Sequence, residues 1–132
     1  MRAYFGDGLN RLLLNAIFPG EPVAWERAAL RGLYMHKPKK TRQAQATLVR
    51  GLKCVAPELK PDAHSRFGVQ CVFSTRSFRK DGDNCLKLLL DAFNHKIWED
   101  DNQIDEIQVT MKRGVLAPQT HFICYTIERE KP

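Results

Sequence analysis

Residues 81–101 read DGDNCLKLLLDAFNHKIWEDD. Four carboxylates, Asp81, Asp83, Asp100 and Asp101, flank a short helical pattern. Asp91 lies inside it and Glu99 adjoins the second pair. Crowded carboxylates repel one another, so the cluster needs a reason. Oxygen-only donors that converge select a hard cation, magnesium or manganese. Such an ion polarises a phosphate and lowers the pKa of a bound water, which is the chemistry of phosphodiester hydrolysis. Lys87 falls one helical turn after Asp83. A cation near a helix start opposes the macrodipole and is a poor choice for stability alone. Beside a phosphate it could stabilise developing negative charge.

The same residues have a plainer reading. Asp-Gly-Asp-Asn is also turn-and-cap chemistry. Glu-Asp-Asp-Asn is also a solvated loop, and Lys87 could pair with Asp83 or Asp91 at four-residue spacing. An EF-hand fits poorly: with Asp81 as the first loop position, Leu86 falls where a glycine belongs and Ala92 where a glutamate belongs.

The elements that must position these groups follow from periodicity. Leu86, Leu89, Leu90 and Phe93 form one apolar arc of a helix, with Asp83 or Asn84 as its cap and Asn94 or His95 near its end. A helix of about 12 residues is about 18 Å long, so the two acidic pairs meet only if the chain returns along it. Leu12, Leu14, Ala16 and Phe18 share one strand face over residues 11–18. Phe67, Val69, Cys71 and Phe73 alternate over 66–74, Ile107, Val109 and Met111 follow the acidic loop, and 121–128 form a last strand. Residues 19–40 are a Pro- and Gly-containing loop with an extended piece around 32–36. Thr41 is the expected N-cap of a helix over 42–55. The expected fold is α+β: a small single domain at 11–132, after a tail at 1–10, with a mixed sheet of about four strands and two helices packed on it.

The chain has 132 residues and 43% hydrophobic content, enough for one core. No stretch of about 18 apolar residues spans a membrane, and no signal peptide is recognisable. The four cysteines form no Cys-x-x-Cys pair, which points to reduced thiols in the cytoplasm and not to zinc. The net charge of +6 is unevenly spread. Residues 1–80 carry 15 Lys and Arg against 5 Asp and Glu (+10), and residues 81–132 carry 6 against 10 (−4). A basic body suits a polyanion, and nucleic acid is the default partner.

The pattern Asp81-Gly82-Asp83-Asn84, Lys87, Asp91-Ala92 and Asp100-Asp101-Asn102-Gln103-Ile104 resembles the RusA family of Holliday junction resolvases. These are small magnesium-dependent endonucleases encoded largely by phages and prophages. The resemblance implies metal binding and catalysis by Asp81, Asp83 and Asp101, and an essential Lys87. Asn84, Asp100 and Gln103 would support the site, while Asp91 would hold local structure. It implies Mg2+ as cofactor, with Mn2+ as a substitute, no organic cofactor, a homodimer, and paired hydrolysis of four-way DNA junctions in recombination and repair in a bacterial host cell. Arg27, Arg31, Lys37, Lys39, Lys40, Arg42, Arg79 and Lys80 are the candidate DNA contacts, and such phosphate contacts position the duplex. Trp25 and Tyr34 could stack on an opened base. The alternatives are a less selective branched-DNA or flap nuclease, and a non-catalytic junction-binding protein.

Overall fold

A computed structural model describes residues 2–5, 8–25, 29–31, 34–36 and 39–128, with side chains placed for 10–25 and 39–128. In chain order the elements are β1 (Arg2–Phe5), β2 (Gly8–Pro19), β3 (Ala29–Arg31), β4 (Tyr34–His36), α1 (Lys39–Val55), β5 (Phe67–Thr75), α2 (Gly82–Phe93), β6 (Ile104–Arg113) and β7 (Gln119–Ile127). A 3-10 turn, Asp101–Gln103, leads into β6. The main sheet runs β1-β2-β7-β5-β6, and β3 and β4 form a separate hairpin. All main-sheet pairings are antiparallel except β5 with β6. The expected small mixed-sheet α+β domain with two helices is what the chain forms.

Several boundaries differ from expectation. Arg2–Phe5 is a strand, and Phe5 pairs with Gly8, so β2 begins at Gly8 and not at Arg11. The segment expected to be a tail therefore pairs as a strand, in keeping with the Gly-Asp-Gly run between apolar residues, which is a hairpin signal. The extended piece near 32–36 is the β3–β4 hairpin. Thr41 lies inside α1 and is fully buried, so it is not the cap. The cap of α2 is Asp81, two positions before the earlier of the expected caps.

Strand β5 carries the expected alternation. Phe67, Val69, Cys71 and Phe73 are buried beneath α2, beside Leu14, Ala16 and Phe18 of β2 and Phe122 and Cys124 of β7. The apolar arc of α2 is wider than Leu86, Leu89, Leu90 and Phe93, for Cys85, Leu88 and Ala92 are buried too. The reason is that α2 packs against α1 as well as the sheet. Phe93 is the hub, with ring centroids 5.2 Å from Phe122 and 6.0 Å from Phe18. On the opposite face of the sheet, Tyr125 crosses β5 at Gly68 to donate to Glu106 of β6 at 2.9 Å. A Cβ at position 68 would stand 2.2 Å from the Tyr125 ring, so only glycine permits that crossing. Cys71, Cys85 and Cys124 are buried free thiols. Burial pushes Cys71 up to about 12 and Cys85 up to about 11, so they act as small apolar groups.

For function the decisive feature is the β5–α2–β6 unit. Strands β5 and β6 run parallel, with Phe67 opposite Ile104 and Thr75 opposite Arg113. Helix α2 must therefore start at the C-terminal ends of both strands and run back to their N-terminal ends. Gly82 at its start lies against Met111 and Val109, late in β6. After α2, His95 takes a left-handed conformation (φ 64°) and turns the chain. Ile97 and Trp98 then plug the core before the acidic turn.

Candidate active site

Asp81 is extended (φ −83°, ψ 117°). It accepts the Asp83 N–H at 2.9 Å and the Asn84 side-chain amide at 3.2 Å. An aspartate just before the first helical residue satisfies free N–H groups and faces the positive end of the macrodipole. Asp83, Lys87 and Asp91 then follow at four-residue intervals along one exposed stripe of α2. The Lys87 ammonium lies 3.8 Å from the centroid of the Trp25 ring. The Trp25 N–H donates to the Asn84 carbonyl at 2.9 Å, which fixes the loop against the helix start. Residues 20–25 are tied down further by Glu21, which accepts the Thr75 hydroxyl and the Arg76 N–H. Burial works against ionisation of Glu21, but Thr75, Arg76 and Lys80 together hold its carboxyl below the ordinary value.

At the other end of α2, the Gln45 amide on α1 donates to Asp91 at 3.0 Å and to the Leu88 carbonyl at 3.2 Å. Asp91 also adds negative charge to Asp101. A hydrogen bond with Asp100, then partial burial, then the charges of Asp100 and Asp91 hold the Asp101 carboxyl above its ordinary range. The negative charge that Asp100 and Asp91 place beside Asp101 is one that a cation would offset. Gln103 pins this turn. Its carbonyl oxygen accepts the N–H groups of Glu99 (2.9 Å) and Asp100 (3.2 Å). Its amide donates to the carbonyls of Asp62 (2.7 Å) and Ser65 (3.0 Å). Gln103 is only 5% exposed, so truncation strands buried backbone groups. Gln103→Ala is expected to lower stability by about 1–3 kcal/mol and to slow DNA cleavage about tenfold or more by freeing the Asp101 turn. Urea unfolding and a cleavage assay measure the two. Lower stability with unchanged cleavage would leave Gln103 a fold-holding residue only.

The two carboxylate pairs do not meet within one chain. Asp81 and Asp83 stand beside the end of β6, and Asp101 stands before its start. Eight residues of helix separate Asp83 from Asp91, about 12 Å along the axis. Among the described residues, no group of three or more His, Cys, Asp or Glu is placed to hold a metal ion.

Of the candidate DNA contacts, Lys39, Lys40, Arg42 and Arg79 are exposed. Lys80 turns inward, where its ammonium donates to the Pro22 carbonyl and lies 3.5 Å from Glu21. It acts as a strut for the 20–25 loop, because a buried carbonyl and a carboxylate wait for it there. Arg27 and Lys37 lie outside the described residues, and Arg31 and Tyr34 are placed only as positions in β3 and β4. Sequence reasoning missed Gln45 and Glu21, whose roles depend on contacts across the fold. It also missed Arg50 and Lys53, which continue the basic face of α1 from Lys39 and Arg42 at helical spacing. That signal was available in the sequence.

A compact α+β domain that presents aspartates at both ends of one helix, a lysine between them and a basic helix alongside is the framework of a nuclease. The model of the family described as endodeoxyribonuclease RusA matches residues 19–121, so the chain belongs to the RusA family of endodeoxyribonucleases, which resolve Holliday junctions. The match runs from the end of β2 into β7 and includes both acidic pairs and Lys87. No curated protein matches the chain.

Proposed function

We propose that this chain is a magnesium-dependent, structure-specific endonuclease that works as a homodimer and cuts four-way DNA junctions by paired phosphodiester hydrolysis. It would serve recombination and repair in the cytoplasm of a bacterial host cell. The carrying observation is the placement of Asp81 and Asp83 at one end of α2 and Asp101 at the other. A two-fold axis beside β6, an edge strand of the main sheet, would set two α2 helices antiparallel. Asp81 and Asp83 of one protomer would then approach the partner's Asp101, giving two equivalent sites. A four-way junction has two strands to cut, related by near two-fold symmetry, so the assembly and the substrate match.

The donor set fits the ion: all the acidic ligands are carboxylate oxygens, and the negative charges of Asp100 and Asp91 beside Asp101 are ones that a divalent cation offsets. Bound magnesium, or manganese in its place, would supply Lewis-acid polarisation of the phosphate and a more acidic water. The protein's own residues do the rest. Asp81 stays fixed by Asn84 and the helix N-terminus. Lys87, parked over Trp25, offers its charge to the developing phosphorane oxygens. Lys39, Arg42 and Arg79 hold backbone phosphates, which makes binding salt-dependent.

The test incubates the protein with a synthetic four-way junction and matched linear duplex, each with magnesium and with EDTA, and maps the products on a denaturing gel. Paired nicks near the branch point that need magnesium are the expected result. Equal cutting of flaps, forks and junctions would favour a general branched-DNA nuclease. Binding without cutting, in manganese too, would reduce the protein to a junction-binding module.

A further inference from the structure

Two large apolar side chains are far more exposed than any others among the described residues: Leu116 at 94% and Phe78 at 76%. The remaining exposed ones, such as Ile17, Val55 and Ile107, are near half-exposed and scattered over different elements. Scattered exposed apolar groups are ordinary and need no explanation. These two are not scattered. Phe78 lies on the 76–80 loop between β5 and α2, three residues before Asp81. Leu116 lies on the 114–118 loop between β6 and β7. Both loops leave the sheet at the end where α2 begins.

The two loops are joined to each other. The Val115 N–H donates to the Thr75 carbonyl at 3.1 Å. The Phe78 ring lies on Gly114, where a Cβ would stand 2.5 Å from the ring tip. The Ser77 hydroxyl oxygen accepts the N–H groups of Arg79 and Lys80, so the Phe78 turn is braced from within. The charged side chains of the two loops and the adjoining end of β6 are cationic: Arg76, Arg79, Lys112 and Arg113 are exposed, and neither loop carries an acidic residue. Glu21 lies at the base of the 76–80 loop, where it accepts from Thr75 and Arg76 and faces Lys80. An apolar tip flanked by exposed cations suits a partner with an apolar face between rows of phosphates. A base step of DNA has that form, and phenylalanine and leucine are the side chains that wedge between base steps.

We propose that Phe78 and Leu116 form a wedge that enters the branch point of bound DNA and unstacks a base there, while Arg76, Arg79, Lys112 and Arg113 hold the flanking phosphates. The inference rests on the reading of the chain as a junction-cutting enzyme. A continuous duplex keeps its stack closed and resists the wedge, whereas a branch point has already lost stacking partners. The wedge therefore favours junctions over duplex, and Phe78 stands three residues before Asp81 and five before Asp83.

The experiment uses a four-way junction with 2-aminopurine beside the branch point, in EDTA so that no strand is cut. Wild type, the double variant Phe78→Ala/Leu116→Ala, and Phe78→Trp are compared for emission on binding, junction affinity and duplex affinity. Wild type should raise the emission. The double variant should lose most of that rise and about tenfold in junction affinity, with duplex affinity within about twofold. Phe78→Trp should keep both properties, because a second aromatic ring can take the same place. A full emission rise with the double variant overturns the wedge. A changed oligomeric state on size-exclusion chromatography with an unchanged emission rise would make the patch a copy–copy contact and also overturn it. If magnesium-dependent junction cutting by wild type stands in either case, only the wedge has failed. A wild type that neither prefers nor cuts junctions defeats the functional reading and the wedge together.

Discussion

Asp101→Asn lowers the rate of junction cleavage by at least about 10³-fold and leaves junction affinity within about threefold. The loss follows from removing one carboxylate of the proposed cation site, and the retained affinity follows because the proposed phosphate contacts lie elsewhere, on α1 and the 76–80 loop. A second readout does not depend on activity. The Asp101 carboxyl is held above its ordinary range by its hydrogen bond to Asp100, by burial and by the charges of Asp100 and Asp91. A raised carboxyl contributes stability at low pH, below its unfolded value, and loses it as pH rises through the folded value. At pH 7 the ionised form of Asp101 is therefore the one disfavoured by folding. The metal-free Asp101→Asn protein should therefore melt slightly higher than wild type at pH 7, with the gap closing below about pH 4. Magnesium should raise the melting temperature of wild type more than that of the variant. A variant that melts lower at pH 7 would refute the crowding argument.

The same substitution tests where the site is assembled. Asp83→Asn and Asp101→Asn are each expected to be inactive alone. If a site joins Asp83 of one protomer to the partner's Asp101, a mixed dimer has one doubly altered site and one intact site. Random mixing should then recover about a quarter of the wild-type sites, seen as single nicks and not paired cuts. A site contained in one chain would leave every site in the mixture damaged, and no activity would return.

Lys87→Met is the second large effect. Cleavage at saturating DNA should fall about 10²–10³-fold, the range for removing one positioned transition-state donor. Junction affinity should change far less. Stability should hardly move, because an exposed cation–π contact is worth about 0.5–1 kcal/mol and the cation opposed the start of the α2 dipole in any case. The split between rate and affinity carries the test. A large fall in affinity with the rate at saturation unchanged would make Lys87 a phosphate anchor. Full activity would remove it from the site, and its place over Trp25 would be the whole of its role.

The sequence by itself determined the parts whose physics is local. Alternation at Phe67, Val69, Cys71 and Phe73 specified β5 within one residue at each end. The i, i+3, i+4, i+7 spacing of Leu86, Leu89, Leu90 and Phe93 specified α2, while the acids and lysine around it fitted turn-and-cap chemistry as well as phosphodiester chemistry until the resemblance to the RusA family favoured the second. The local differences, a strand at Arg2–Phe5 ahead of the Gly-Asp-Gly run that leads into β2 and Asp81 instead of Asp83 or Asn84 as the cap of α2, also rest on short-range signals.

Only the tertiary structure decided which carboxylates share a neighbourhood. The out-and-back length of α2 left open whether Asp101 returns to Asp81. The parallel pairing of β5 with β6 answers it, because a crossover helix between parallel strands must put its two ends at opposite ends of the sheet. Asp101 consequently meets Asp91 and Asp100, and within one chain it stays at the opposite end of α2 from Asp81 and Asp83. Lys80 shows the same limit on a smaller scale. Its charge suggested a DNA contact, but Glu21 and the Pro22 carbonyl, brought in from the far end of β2, draw it inward. Periodicity and spacing depend on a few neighbouring residues. Register between distant strands depends on the whole core closing at once, and no short stretch of sequence carries that information.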